Sequence, residues 1–299
     1  MKLAYLFSPF IFSSVLFSCS IDGVKNDDTN SPFIDSTSTI KKDVKQDESV
    51  DTLVVPDTTV ADVDSLQIHS KKTYPNGIKI KWLKEGGGEA VQDFDMLRIA
   101  YSYALSNGKV YDGNHLLKKL SIAFPHGWNL QTKGWEFVMS QLKVGDKVEA
   151  FIPAALARGE KGIPGIVPPN DNNTLKLEII EKISPDENIS GTKLFKVEES
   201  KSESEKRITK DDVVKLHYFA STPNQPRYHT SRRSVVAYKL DLGKLDDGSF
   251  LKEAMIGLKT YDKVYLHVPA NKVDGDIFKT DKLKTKEDVL LDFIIVGVE

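Results

Sequence analysis

The stretch from Gly134 to Pro169 has residue types and spacing suited to holding a small apolar group. Trp135, Val138, Met139 and Leu142 fall at i, i+3, i+4 and i+7, so they share one face of a helix predicted over 135–142. A strand-like run, Val148 to Pro153, follows, and then the Gly/Pro loop Gly159 to Pro169. A short amphipathic helix, a half-buried strand and a rigid loop can together frame one apolar cavity, whose chemistry is burial and orientation. His115 and His126 have no partner at metal-ligand spacing and read as residues of surface loops. Gly86-Gly87-Gly88 is followed by no helical pattern, so it reads as a turn and not as a phosphate loop.

Several strands must position that stretch. Ile78, Ile80 and Trp82 alternate with Lys79 and Lys81, giving a strand with one wet face. Leu97, Ile99, Tyr101, Tyr103 and Leu105 alternate with Arg98, Ala100, Ser102 and Ala104, which puts both tyrosines on the inner face. Asn107-Gly108 signals a hairpin into Val110-Tyr111-Asp112-Gly113. Ile122-Ala123-Phe124 is a further short strand, and Leu175, Leu177 and Ile179 close the sheet. The predicted unit is α+β, an antiparallel sheet wrapped around one short helix, over residues 73–184.

At this point the order of residues resembles the FK506-binding-protein family of peptidyl-prolyl isomerases. The likeness runs from Gly77 to Ile183. It is carried by Gly77-Ile78-Lys79, Leu83-Lys84-Glu85-Gly86, the Tyr101 strand and Asn107 to Asp112, then by Gly134-Trp135, Leu142 to Asp146, Ile152-Pro153 and Gly162 to Pro169. The resemblance implies a site with Trp135 as the floor beneath a bound proline ring. Tyr101 and Tyr111 would be walls, the latter where the family usually has Phe. Asp112 would stand at the rim and polarise or orient the substrate carbonyl, with Ile166 and Val167 lining the opposite side. Leu177 stands where the family usually has Phe, Arg158 where it carries a flap tyrosine, and Thr132 near a usual Ile. Pro125 to Lys133 carries extra residues, including His126 and Trp128, and Asn170 to Asn173 lengthens the loop before the last strand. Rotation about an X–Pro bond faces a barrier of about 18–20 kcal/mol and involves no covalent change, so no nucleophile, metal or cofactor is called for.

The chain then repeats itself. Gly191 to Val197 echoes Gly77 to Leu83; Val214, Leu216 and Tyr218 echo the Tyr101 strand; Tyr228 falls at the Tyr111 position. Leu251, Ala254, Met255 and Leu258 repeat the helical face, Thr260 to Val264 and Val268-Pro269-Ala270 repeat the turn and strand, and Leu290 to Val298 would close a second sheet. Leu251 replaces the tryptophan and His229 the aspartate, and the Gly/Pro loop is replaced by a plainer charged connection over 271–286. Residues 189–299 are therefore expected to form a degenerate second copy without isomerase activity. Glu198 to Lys206 reads as a solvated loop.

With 299 residues and a net charge of −2, the chain has room for two domains and gives no prior for nucleic acid. Lys2 followed by an apolar run to Phe17 has the order of a secretion signal, and Leu16-Phe17-Ser18-Cys19 looks like a bacterial lipobox. The sole cysteine, Cys19, is the expected lipidation site after removal of residues 1–18. Residues 19–72, rich in Asp, Ser, Thr and Lys, read as a disordered tether. The function expected from these features is prolyl isomerisation on proline-containing segments of exported proteins, from a lipid anchor in the cell envelope, most simply the outer membrane. The alternatives are a binding module or chaperone without useful turnover, and an envelope-machine subunit docking through residues 189–299.

Overall fold

The computed structural model describes residues 68–201, 206–226, 229–232, 234–273 and 286–299. The expected signal, Cys19 and the expected tether up to residue 67 lie outside the described residues, as does Tyr228. Residues 70–72, read as the end of the tether, belong instead to an edge strand, β1 (Ser70–Thr73), whose Thr73 pairs with Lys79 of β2 (Lys79–Lys84).

The first lobe continues with β3 (Met96–Leu105), β4 (Val110–Gly113), β5 (Ile122–Pro125), α1 (Lys133–Met139), β6 (Lys147–Ile152) and β7 (Asn173–Lys182). Its sheet runs β1-β2-β6-β7-β3-β4, with β5 on the other half of β3. All its described pairings are antiparallel. The alternation in β3 and β7 survives as written: Leu97, Ile99, Tyr103, Leu175, Leu177 and Ile179 are buried in one cluster with Trp135, Val138, Met139 and Leu142. The helix is shifted relative to the periodicity. It starts at Lys133 and ends at Met139, because Thr132 caps it by accepting a hydrogen bond from the Trp135 N–H (3.2 Å). Leu142 completes the apolar face from the following turn. A Cβ on Gly134 would lie 2.3 Å from Ile152 Cγ2, so glycine before the tryptophan is what lets α1 press against β6.

The second lobe comprises β8 (Glu187–Ile189), β9 (Thr192–Glu198), β10 (Val213–Ser221), β11 (His229–Thr230), β12 (Tyr238–Asp241), α2 (Phe250–Met255), β13 (Lys263–Val268) and β14 (Val289–Val298). Its order, β11-β10-β14-β13-β9-β8 with β12 on β10, is the order of the first sheet read from the other end. Leu251, Ala254, Met255 and Leu258 are buried in its own core, as the repeated helical face requires. The duplication extends to a buried carboxylate. Asp146 accepts from the Gly86 N–H (2.7 Å), the Lys143 N–H (3.0 Å) and the Trp82 indole N–H (3.2 Å); Asp262 accepts from the N–H groups of Ser200 (2.7 Å) and Lys259 (2.8 Å).

The two lobes belong to one compact unit spanning residues 67–299. They share a third cluster in which Met96 and Trp128 meet Phe195, Tyr265 and Leu290. His126, expected in a surface loop, is 2% exposed. Its Nδ1 lies 3.1 Å from Glu136 Oε2, so the loop from Pro125 folds inward onto α1. His115 is exposed, as expected.

Candidate functional site

The site is built on a β-bulge. Tyr103 pairs with Asp112 and Ala104 with Val110, which leaves Tyr111 as the extra residue. Consecutive strand residues normally point to opposite faces. Here the bulge lets both reach the inner side: the Tyr111 ring lies 5.3 Å from the Tyr103 ring, and Asp112 Oδ1 accepts from the Tyr101 hydroxyl at 2.9 Å. Asn114 fixes the far end of the bulge. Its Oδ1 accepts from the Tyr101 N–H (2.6 Å), and its Nδ2 donates to the carbonyls of Lys119 (2.7 Å) and Leu120 (2.9 Å).

Beneath these groups lies Trp135. Tyr101 meets it edge-on at 5.0 Å and 89°, Tyr103 at 5.9 Å, and Phe124 at 5.5 Å. The indole is 0% exposed, and its N–H has no acceptor among the described residues. The floor is thus enclosed, and a ligand ring reaches it only if the rings above it shift. Tyr101, Tyr111, Asp112 and Arg158 are each partly exposed. Arg158 stands beside the phenols of Tyr101, Tyr103 and Tyr111 and donates to Gln131 Oε1 (3.2 Å).

Of the residues singled out from sequence, the structure brings together Tyr101, Tyr111, Asp112, Trp135 and Arg158. Leu177 is 2% exposed and part of the same cluster as Trp135. Ile166 and Val167 are not in that cluster. They belong to a loop closed on itself, with Ile163 and Val167 exchanging backbone hydrogen bonds of 2.8 Å. Gly162, at φ +57°, would carry a Cβ 2.2 Å from the Val167 carbonyl oxygen, so this loop depends on glycine there. Ile166 is 43% exposed at the loop tip, and Val167 is buried at 2%. Sequence reasoning missed Phe124, Asn114 and Asn173, whose Oδ1 accepts from the Tyr111 hydroxyl (3.0 Å). Phe124 was legible as the inward residue of its strand; the two asparagines carried no signal, because their partners are remote in sequence.

A cleft of about 450 Å³ lies elsewhere, between the lobes, lined by Phe94, Met96, Val144, Ile183 and Phe195 among others. Its rim carboxylate Asp95 is already paired with Lys182 at 2.7 Å. We place the candidate chemistry at the aromatic cluster, where polar groups converge, and not in this cleft.

Burial raises the phenols of Tyr101, Tyr103 and Tyr111 above the ordinary tyrosine range; at Tyr101 the Asp112 charge adds to it and the Arg158 charge opposes it. In the second lobe burial pushes Tyr218 up to about 12. A phenol that ionises later in the folded than in the unfolded chain stabilises the fold fully below about pH 10, and that stability is lost as the pH rises through the folded value. Denaturant midpoints are therefore expected to hold steady to about pH 9 and then fall more steeply than one phenol would cause. A midpoint still flat at about pH 11 would contradict the buried phenols.

A family model described as FKBP-type peptidyl-prolyl cis-trans isomerase matches residues 87–180. FK506-binding protein 1 of Candida glabrata is 30% identical over 115 residues, 37% of this chain and 96% of that protein. Peptidyl-prolyl cis-trans isomerase Mip of Coxiella burnetii is 32% identical over 109 residues, 36% of this chain and 46% of that one. FKBP53 of Arabidopsis thaliana is 34% identical over 125 residues, 41% of this chain. Among solved structures, FkpA from Escherichia coli is 28% identical with a TM-score of 0.35, covering 40% of this chain and 54% of that one. The chain belongs to the FKBP-type peptidyl-prolyl cis-trans isomerase family. It spans 25% of the FKBP53 length and less than half of Mip.

Proposed function

We propose that the first lobe accelerates cis/trans isomerisation of X–Pro bonds in polypeptide segments, and that the aromatic cluster around Trp135 is where it does so. The observation that carries this reading is the joining of Tyr101, Asp112 and Trp135 into one contact chain in a chain of this family. The planar amide is the more polar form. An apolar wall of Trp135, Phe124 and tyrosine rings disfavours it and tolerates the twisted one, in which amide resonance is broken. A thousandfold acceleration needs only about 4 kcal/mol of such differential stabilisation. Asp112, an acceptor held by the Tyr101 hydroxyl, orients the peptide at the rim. The Trp135 N–H, without an acceptor among the described residues, would gain one from a ligand carbonyl. Arg158 and the Tyr101 ring must move aside for a proline ring to reach the indole.

The N-terminal charge, apolar run and Cys19 support a lipid anchor, and with it action on exported proteins in the cell envelope. Several acyl chains on one residue hold a protein at a bilayer firmly, where a single chain holds it marginally. Among the described residues no helix is long and apolar enough to cross a membrane.

A proline-peptide isomerisation assay on the full chain tests the activity. Asp112→Ala is expected to lower kcat/KM by about tenfold or more, the loss of one hydrogen bond to a charged group. Absence of acceleration by the folded wild type sinks the enzyme reading. The enclosed indole favours one alternative, a client-binding module without turnover; suppression of aggregation that survives Asp112→Ala would point there.

A further inference from the structure

We propose that the second lobe is a clamp on the site of the first, acting through residues 126–132; this rests on the isomerase reading of that site. The segment is the insertion between β5 and α1, and it is pinned at both ends. At one end Trp128, 1% exposed, is packed among Phe195 of β9, Tyr265 of β13 and Leu290 of β14. The ring of His267, also on β13, meets Trp128 edge-on at 5.2 Å and Phe94 at 5.3 Å. His267 is itself held by Asp288, with Nε2 to Oδ2 at 2.7 Å. The next residue, Asn129, donates through Nδ2 to the Pro223 carbonyl of the second lobe (2.8 Å).

At its other end the same segment touches the site. Gln131 accepts from Arg158, which stands beside the three phenols. Thr132 caps the helix at the Trp135 N–H, and its hydroxyl lies 3.3 Å from that of Tyr103. At the start of the segment, before Trp128, His126 also lies against Glu136, the residue after Trp135. Between the Trp128 anchor and the Thr132 cap there are only three residues, one of them, Asn129, at φ +51°. So short a link transmits a shift of the anchor to the cap with little slack. A copy that has leucine in place of the indole and histidine in place of the aspartate thus still contributes to the site, by holding the loop that sets the height of α1. Trp128 and Asn129 are positioning residues: no reacting atom meets them.

The test uses the full chain with Trp128→Ala, Trp128→Phe, His267→Ala and Asn129→Gly. The last deletes the amide while keeping a residue that accepts positive φ. Two readouts are taken: kcat and KM for a prolyl peptide, and hydrogen exchange at the Thr132–Trp135 amides. We expect Trp128→Ala and His267→Ala to lower kcat by about tenfold to a hundredfold with little change in KM, as misplacement of a site by an ångström does. Trp128→Phe should recover most of it, and exchange at the Trp135 amide should quicken in step. An active wild type whose His267→Ala and Asn129→Gly variants match it in kcat and in exchange overturns the clamp and leaves the isomerase reading standing. An inactive wild type overturns the isomerase reading. Exchange then decides the clamp alone: protection lost at the Trp135 amide supports it, and unchanged protection removes it. If Trp128→Ala fails to fold, His267→Ala and Asn129→Gly decide by the same criteria.

Discussion

Replacing Trp135 with leucine should reduce prolyl isomerisation by at least a hundredfold, or about 2.7 kcal/mol in the barrier, while the lobe remains folded. The second lobe motivates the choice of leucine. Leu251 occupies the equivalent place on α2, is 2% exposed, and sits in a core that closes around it. A leucine is therefore compatible with this architecture, although the smaller side chain leaves a void that costs about 2–4 kcal/mol of stability. What it cannot supply is the flat face against Tyr101, Tyr103 and Phe124, nor the N–H that has no acceptor among the described residues. Circular dichroism and a thermal scan establish that the variant is folded; a peptide assay then reads the loss. A folded Trp135→Leu protein with wild-type turnover would mean the indole is packing and nothing more.

The largest stability effect is expected at Asp146. This carboxylate is 1% exposed and serves three donors, the Gly86 and Lys143 N–H groups and the Trp82 indole. Alanine there strands the buried Gly86 N–H and removes the acceptor of two part-buried donors, which should cost about 3–5 kcal/mol. Asp262→Ala, with two described backbone donors, should cost less. Urea midpoints at neutral pH measure both. A cost below about 1 kcal/mol for Asp146→Ala would show that the donors find other partners.

The period-2 pattern of β3 and β7 and the period-3.6 face of α1 were legible because burial on one side writes itself directly into alternation. So was the second copy, since Leu251, Ala254, Met255 and Leu258 reproduce the face even where the chemistry is gone. Tyr101, Tyr111 and Asp112 were identified through family resemblance, but the bulge that lets neighbours 111 and 112 act on one side leaves no pattern of its own. His126 was misread because a lone histidine in a polar loop gives no hint of the glutamate ten positions later on a helix. Trp128 reads from sequence as an extra residue and nothing more. Its partners lie on β9, β13 and β14, and contacts of that range follow from the docking of two finished lobes, not from any local period.

The cluster in which Met96 and Trp128 meet Phe195, Tyr265 and Leu290 bears on modularity. A repeat that looks excisable at residue 184 shares side chains with its neighbour, so cutting there would lay a tryptophan and a methionine bare to water. The two lobes share that cluster within one compact unit, so a deletion series cut at residue 184 would measure solubility before it measured function.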